Sequence, residues 1–224
     1  MTLDWGYVIQ IFPDLLKGLR LTLVITVLAS LLALVLGFLV AFVIYRKVPL
    51  LSQIAKIYVQ VTRNTPLLVQ LYLFFFALPQ FGILISALAS GVIVLGSQAA
   101  SYMSEIYRAG IEAVPREQWD AANALNLPTR RVWLRIILPQ AIPPVLPALG
   151  NHVNEMLKLT AYASAIGVIE LFGQGLRVAE LTYRYLVPFT MVGLLYLVFS
   201  VTVTVLLRRV ELRNARRNSS WSNV

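Results

Sequence analysis

A run of 25 residues without a charge, 21–45, reads LTLVITVLASLLALVLGFLVAFVIY. A helix needs roughly 20 apolar residues to cross the hydrocarbon core of a bilayer, so this run predicts a membrane span. It stops at Arg46 and Lys47, and Pro49 follows, a residue that cannot continue a helix. The run therefore decides the fold class, which is that of an integral membrane protein.

The rest of the chain repeats this pattern of apolar runs between short charged segments. The uncharged run 64–104 is too long for one crossing, and Pro79 and Gly82 interrupt it as a hairpin turn does. The proline-rich run 136–169 and the uncharged run 185–207 complete the set. We predict one all-α membrane domain, 1–224, with about five transmembrane helices. The predicted spans are 20–45, 59–79, 83–108, 138–160 and 185–207, with a cytoplasmic loop over 109–137 and a flexible tail over 212–224.

Composition limits the classes of function. The chain is 58% hydrophobic and 13% charged, whereas about a quarter of the residues in a soluble domain are charged. Its net charge of +9 does not indicate nucleic-acid binding, because cytoplasmic loops of membrane proteins carry excess Lys and Arg. Cysteine is absent and His152 is the single histidine, so we expect no metal site and no cofactor.

Basic residues are distributed unevenly between the two sides of the predicted spans. If the N-terminus lies outside, 14 of the 19 Lys and Arg residues fall on the inner side and four on the outer side. Because positive charge accumulates on the cytoplasmic side, we predict an outer N-terminus and a cytoplasmic C-terminus.

The most polar internal segment lies between Pro115 and Pro128 and has the composition of a short docking helix. Its alanines allow another protein to approach the backbone, while Trp119 and Leu125 supply anchors and Asp120 a charge. An amphipathic helix lying on the lipid surface is an equal alternative from these residues alone. The candidate docking residues are Trp119, Asp120, Ala121, Ala122, Leu125 and Asn126.

This segment also resembles a known motif. The stretch 119–122 (WDAA), followed by 137–141 (ILPQA), is similar to the cytoplasmic signature loop of bacterial ABC importer permeases. The stretches 63–71 (RNTPLLVQL), 101–110 (SYMSEIYRAG) and 165–171 (AIGVIEL) are similar to segments of the polar amino acid branch, in the same order and spacing. The resemblance covers about 59–171.

The resemblance implies a type I ABC importer permease in the bacterial inner membrane, which carries amino acids or similar small polar solutes. Within that branch, 107–119 looks like permeases for ectoine and hydroxyectoine. The sequence departs from the family pattern at three places. Asp120 stands where the family usually has Glu, and Asn126 stands where it usually has Gly. After Lys158, Leu159 and Ala161 replace a common Asp-Thr-Ser pattern. Since Asn tolerates a left-handed backbone, Asn126 is still expected to make the turn.

The resemblance also implies partners. Asp120, Ala121 and Ala122 would lie in a groove of a separate ATPase subunit, and an extracytoplasmic solute-binding protein would deliver the solute. A second permease copy or a paralogue would complete the pathway, surrounded by membrane lipid. The chain contains no Gly-rich loop ending in Gly-Lys-Ser or Gly-Lys-Thr, so we expect a transport subunit and not an enzyme.

Charged side chains at membrane depth are costly and usually face a cavity or a partner. Ion pairs between Glu105 and Arg108, or between Glu155 and Lys158, are the structural alternative to a role in transport. The candidates for the translocation pathway are Glu105, Arg108, Asn154, Glu155, Lys158 and Thr160.

Two other classes of function remain as alternatives. In an ion-coupled secondary carrier, Glu155 or Glu105 would carry protons, and inverted repeats would support that class. A membrane-embedded enzyme needs a nucleophile, a base and an orienting group held together, and the sequence contains no such constellation. The signature loop argues against the carrier.

Overall fold

A computed structural model describes the backbone of residues 5–219 and the side chains of residues 5–209. Within that part, the chain is helical and has no β-strand, which confirms the all-α prediction. The helices are α1 (Trp5–Tyr45), α2 (Leu51–Asn64), α3 (Leu67–Tyr72), α4 (Ala87–Glu112), α5 (Arg116–Ala124), α6 (Thr129–Val132), α7 (Leu138–Leu159), α8 (Leu171–Thr182) and α9 (Leu186–Ser219). Short π or 3-10 turns extend α3, α6 and α7: Leu73–Ala77, Leu78–Phe81, Trp133–Ile137 and Thr160–Ile166.

Three stretches of the described chain are long and apolar enough to cross a membrane. They are Trp5–Tyr45, Thr129–Ile166 and Leu186–Arg209, and a bent pair of helices would make a fourth. α4 has 26 residues, but its glycines, serines and Gln98 make it less apolar. Because α4 packs against α1, α2 and α7, it does not need a continuous lipid-facing surface.

The second predicted span, 59–79, is bent in the structure. α2 and the helical stretch Leu67–Phe81 meet at 112°, with the break at Thr65 and Pro66. Proline lacks a backbone N–H and disfavours a helical conformation in the residue before it. The Gln70 side chain lies at the break, where its amide donates to the carbonyls of Thr62 and Thr65 at 2.8 Å each.

The loop predicted over 109–137 contains two helices. α4 continues to Glu112, α5 starts after Pro115, and α6 starts after Pro128. A π-helical turn then joins α6 to α7, which covers nearly the whole of the predicted span 138–160. Pro139 follows this π-helical turn within the helical stretch Thr129–Ile166, where a proline cannot donate the hydrogen bond of a regular helix.

α1 connects the parts of the molecule along its length. Its first half packs on α8 and α9, its middle packs on α4, and its last turn meets the loop helices. The apolar cluster at its first half consists of Tyr7, Ile11, Leu15, Leu19, Leu171, Val178 and Val192. Interactions at the two ends of α1 therefore belong to opposite ends of the molecule.

The predicted flexible tail, 212–224, is only partly described. α9 continues to Ser219, so the backbone of 212–219 is helical. The remainder, 220–224, lies outside the described residues.

Candidate coupling and transport sites

α5 begins directly after Pro115 and ends at Ala124, two residues before Asn126, which has a φ of 53°. This left-handed conformation closes the helix, with Asn126 N donating to the Asn123 carbonyl at 2.9 Å and Leu127 N to the Ala122 carbonyl at 3.1 Å. Asn is one of the few residues with a side chain that adopt this conformation readily. The turn places Asn126 in the role that glycine often has at a helix end.

The six predicted docking residues do not share one face of α5. Asp120, Ala121 and Asn126 are exposed, and Leu125 keeps 72% of its surface exposed. Ala122 is only 2% exposed, because it packs in an apolar cluster of its own chain. Another protein can therefore contact the exposed residues directly, but it cannot contact Ala122.

Trp119, the sixth residue, belongs to a group of four side chains that we call the aromatic cluster: Phe42, Tyr45, Trp119 and Trp133. Trp119 stacks on Tyr45 with ring centroids 5.9 Å apart. Trp133 meets Trp119 and Tyr45 edge-on at 5.5 Å each, and Phe42 at 5.0 Å. Such contacts add about 0.5–1.5 kcal/mol per pair beyond burial. The cluster joins α5 to the last turn of α1 and to the turn before α7.

Two of the candidate pathway charges on α4 are paired. Arg108 donates to Glu105 and to Glu112, at 2.7 Å each, and all three side chains are partly exposed. They line an open cavity of about 770 Å³, together with Lys56 of α2. The pair predicted as the structural alternative is thus present, and it faces a cavity.

The candidates on α7 have different surroundings. Asn154 bridges α7 to α9, donating to Thr204 at 3.0 Å and accepting from Ser200 at 3.1 Å. Thr160 is fully buried and donates to the Leu157 carbonyl at 2.8 Å. Asn154 therefore connects α7 to α9, whereas this hydrogen bond of Thr160 stays within its own helical turn.

Glu155 and Lys158 do not pair with each other. Glu155 lies 3.2 Å from Nδ1 of His152, and Lys158 is exposed without an ion pair to any residue of the described chain. No group of three or more metal-ligating side chains occurs among the described residues. This part of α7 thus carries one unpaired ammonium, Lys158, and, a single helical turn away, one carboxylate in contact with His152.

A cavity of about 320 Å³ lies between α4 and α7 beside Glu155. Tyr102 stacks on His152 in its wall with ring centroids 5.8 Å apart, and the Arg63 guanidinium lies 5.1 Å from the Tyr102 ring centroid. The other lining residues are Leu67, Gln98, Ala99, Leu159 and Tyr162. The wall offers hydrogen-bond donors and acceptors on an otherwise apolar surface, as solute sites commonly do.

A buried carboxylate, Glu170, joins three helices and meets α1 at Thr22, near the middle of that helix. It is 0% exposed and accepts from Thr22 at 3.1 Å and from Tyr196 at 2.8 Å. It also caps α8 by accepting from the backbone N–H groups of Phe172 and Gly173, at 3.0 and 2.8 Å. Burial raises the pKa of this carboxyl above its usual range, and the hydrogen bonds oppose that shift.

Residues 10–216 match the family model described as binding-protein-dependent transport system inner membrane component. A probable amino-acid ABC transporter permease of Sinorhizobium fredii is 36% identical over 214 residues, covering 96% of this chain and 93% of that protein. The arginine transport system permease ArtQ of Bacillus subtilis is 34% identical, covering 94% and 97%. The chain belongs to this permease family.

The fold of this permease agrees with solved structures. A crystal structure of an amino acid ABC transporter with histidines has a TM-score of 0.87 and 37% identity, and the match covers 95% of the permease and all of that chain. The inward-facing methionine ABC transporter MetNI has a TM-score of 0.75 at 18% identity, which supports the fold alone. The predicted type I importer architecture is confirmed. The protein is a multi-pass inner-membrane transport subunit that works with a solute-binding protein and a separate ATPase.

Sequence reasoning missed several residues of these sites. The sequence indicates His152 only as an isolated histidine and Tyr102 only as part of a motif, yet their side chains stack on each other in the cavity wall. Their spacing of 50 residues carries no signal in a single sequence. Glu170 lies in the quoted stretch 165–171, but only the fold reveals that it is buried between three helices.

Proposed function

We propose that the permease forms the translocation pathway for amino acids or related small zwitterionic solutes, a class that includes ectoine and hydroxyectoine. The observation that carries this proposal is that Glu155 lines the polar-walled cavity and that Lys158, also exposed, lies one helical turn further along α7. A zwitterion presents an ammonium to the carboxylate and a carboxylate to the ammonium. Relatives named for arginine and glutamine transport support the same class of solute.

A second permease chain, either another copy or a paralogue, completes this pathway. The cavities beside Glu155 and Arg108 are open on one side, and charged groups at membrane depth need a polar enclosure. The apolar side chains that cover the outward face of α9, such as Leu194, Leu197 and Val201, are exposed and suit contact with lipid.

α5 couples the pathway to the ATPase. Its exposed residues Asp120, Ala121 and Leu125 provide the contact, while Ala122 and Trp119 fix the helix to its own chain. Motion of α5 therefore reaches α1 and α7 through the aromatic cluster.

The permease is oriented with its N-terminus outside and its C-terminus in the cytoplasm. The chain has no cysteine, so single-cysteine variants label at one site only. We expect a membrane-impermeant maleimide to reach Glu117→Cys only from the cytoplasm and Gln174→Cys only from outside. The opposite accessibility contradicts this orientation.

The test of function is uptake into proteoliposomes that hold the permease and its ATPase, with the solute-binding protein on the outer side. Labelled amino acids and ectoine are supplied in turn, and ionophores remove every ion gradient. ATP-dependent uptake of one of these zwitterions supports the proposal. Uptake that stops with the ionophores, yet continues without ATP, indicates an ion-coupled carrier and contradicts it.

A further inference from the structure

The connection between α8 and α9, residues 181–186, is held firmly at two points; we call it the α8–α9 corner. The hydroxyl groups of Tyr7 and Thr182 lie 2.7 Å apart in a hydrogen bond. Two residues later, the Arg184 guanidinium lies over the Tyr7 ring at 5.1 Å from its centroid. One side chain of α1 thus fixes the residues on both sides of Tyr183.

Tyr183 itself projects away from the molecule. Its side chain is 87% exposed, and its φ of 55° is in the left-handed region, which costs a residue with a side chain roughly 1–2 kcal/mol. Leu181 beside it is 73% exposed. Strained backbone and exposed apolar groups persist where the surrounding structure enforces them, and they concentrate at binding sites.

The position of the corner excludes the lipid core as its environment. α1 has 41 residues, so it is about 60 Å long, roughly twice the thickness of the hydrocarbon layer. The corner contacts Tyr7 at the first turn of α1, whereas α5 contacts Tyr45 at the last. Asp14, Lys17 and Arg177 line a polar cavity next to the corner, as expected for a surface in water.

We propose that the α8–α9 corner is a contact surface for the solute-binding protein, with Tyr183 as its main anchor and Leu181 beside it. The family works with a binding protein, and the corner lies at the end opposite to the ATPase-facing helix. Tyrosine is enriched among residues that dominate binding energy. This inference rests on the proposed orientation of the permease.

The charged side chains around the α8–α9 corner also indicate the chemistry of the partner surface. The charged side chains of this end within the described residues are four basic and two acidic: Lys17, Arg20, Arg177, Arg184, Asp14 and Glu180. A complementary partner therefore carries an apolar pocket for Tyr183 within an acidic rim.

The test uses the permease–ATPase complex in proteoliposomes and the purified solute-binding protein of the same system. ATP hydrolysis is measured against the concentration of binding protein. We expect Tyr183→Ala to raise the KM for binding protein about tenfold or more, with hydrolysis at saturation retained. Tyr183→Gly relieves the backbone strain but also lacks the side chain, so it should raise KM equally. Tyr183→Phe should stay within about threefold of the unmodified protein.

Two further variants separate this surface from its surroundings. Tyr7→Phe removes the hydrogen bond to Thr182 but keeps the ring under Arg184, and it should raise KM less than Tyr183→Ala does. Leu50→Ala truncates an exposed apolar side chain whose φ of 62° is also left-handed, but it lies beyond the cytoplasmic end of α1 and should leave KM unchanged.

Each other result has a distinct meaning. A KM for Tyr183→Ala and Tyr183→Gly equal to that of the unmodified complex overturns the inference, as does an equal rise for Leu50→Ala. Disulfide formation between two permease copies that carry Tyr183→Cys also overturns it, because this residue then faces the second permease and not the binding protein. If the unmodified complex does not respond to any binding protein, the proposed function itself fails.

Discussion

Trp119 of α5 stacks on Tyr45, the last residue of α1, with ring planes inclined by 26°. This contact connects the loop that we propose faces the ATPase to a helix of 41 residues that reaches the opposite end of the molecule. Trp133 touches both rings edge-on and continues the contact toward α7. The proposed docking helix α5 is therefore joined through one aromatic cluster to the turn that leads into α7, the helix that carries Glu155 and Lys158.

We expect Trp119→Ala to weaken the coupling of ATP hydrolysis to uptake. The variant loses two aromatic pairs, each contributing about 0.5–1.5 kcal/mol beyond burial, so uptake per ATP hydrolysed should fall severalfold. Trp119→Phe keeps an aromatic ring and should retain most of the coupling. Uptake and hydrolysis are measured in the same vesicles, and an unchanged ratio for Trp119→Ala contradicts the role of the cluster.

The exposed and buried faces of α5 should respond differently to substitution. Asp120→Lys reverses an exposed charge and should weaken ATPase association, while the folded permease keeps its stability, because isolated surface changes alter it by about 0.5 kcal/mol or less. Ala122→Trp fills a buried site and should destabilise the permease by about 1–3 kcal/mol or more. Co-purification with the ATPase and thermal unfolding in detergent distinguish the two effects. If the two variants change ATPase association and thermal stability in the same way, the distinction between the two faces of α5 is contradicted.

The apolar runs were sufficient to predict an all-α membrane protein, because span length depends on the bilayer and not on partners. They did not predict the 112° bend at Pro66. Pro66 lies three residues after Arg63 and near the start of an uncharged run. This pattern is compatible with both a straight and a broken span, and packing against α4 decides between them. Similarly, α4 is less apolar than the other spans because α1, α2 and α7 enclose it.

The candidate site was predictable by residue type but not by orientation. Side chains in adjacent positions of α5 point in different directions, so the sequence could not separate buried Ala122 from exposed Ala121. On α7, helical spacing suggested a Glu155–Lys158 pair, yet Glu155 lies beside His152, which is equally close in sequence. A spacing of three fits both partners, and only the side-chain packing decides between them.

The close approach of α4 and α7 should depend on Gly110. A Cβ at this position would lie 2.6 Å from the Ala141 carbonyl oxygen and 2.7 Å from Cγ1 of Val145. Gly110→Ala should therefore force the helices apart and lower the stability of the permease by about 1–3 kcal/mol. The higher helix propensity of alanine offsets up to about 1 kcal/mol of this loss. Gly193→Ala is the matched control, since nothing lies within 4 Å of its Cβ. Thermal unfolding in detergent measures both, and equal stability of the two variants is inconsistent with tight packing here.

Removal of the Glu170 carboxylate should loosen α8 from α1 and α9. Glu170→Ala leaves the Thr22 and Tyr196 hydroxyls and two backbone N–H groups of α8 without their acceptor, at about 1–3 kcal/mol for each buried group left unpaired. Glu170→Gln keeps an acceptor oxygen and the side-chain volume, so it should lose less stability. Hydrogen exchange of the α8 amides reports the loosening locally. Unchanged exchange in Glu170→Ala shows that α8 is held by apolar packing instead.

Lys158 provides the sharpest test of the pathway. It is exposed at membrane depth without an ion pair in the described chain, whereas its neighbour Asn154 is engaged with Ser200 and Thr204. If Lys158 binds the solute carboxylate, Lys158→Ala should lower uptake at saturating binding protein about tenfold or more, because a hydrogen bond to a charged group contributes about 1.5–3 kcal/mol. The complex should still assemble, since no contact with a neighbouring helix depends on the ammonium.

Three further variants separate this role from a structural one. Lys158→Arg keeps the charge and should restore part of the uptake, whereas Asn154→Ala should reduce thermal stability first, through the lost contact between α7 and α9. Lys17→Ala removes an exposed ammonium outside the pathway that already pairs with Asp14, and it should leave uptake unchanged when the binding protein is saturating. Uptake and stability together discriminate between the two explanations. A lysine that lines the pathway affects uptake without stability, and a lysine that supports the fold affects both. Normal uptake by Lys158→Ala at normal expression removes Lys158 from the pathway.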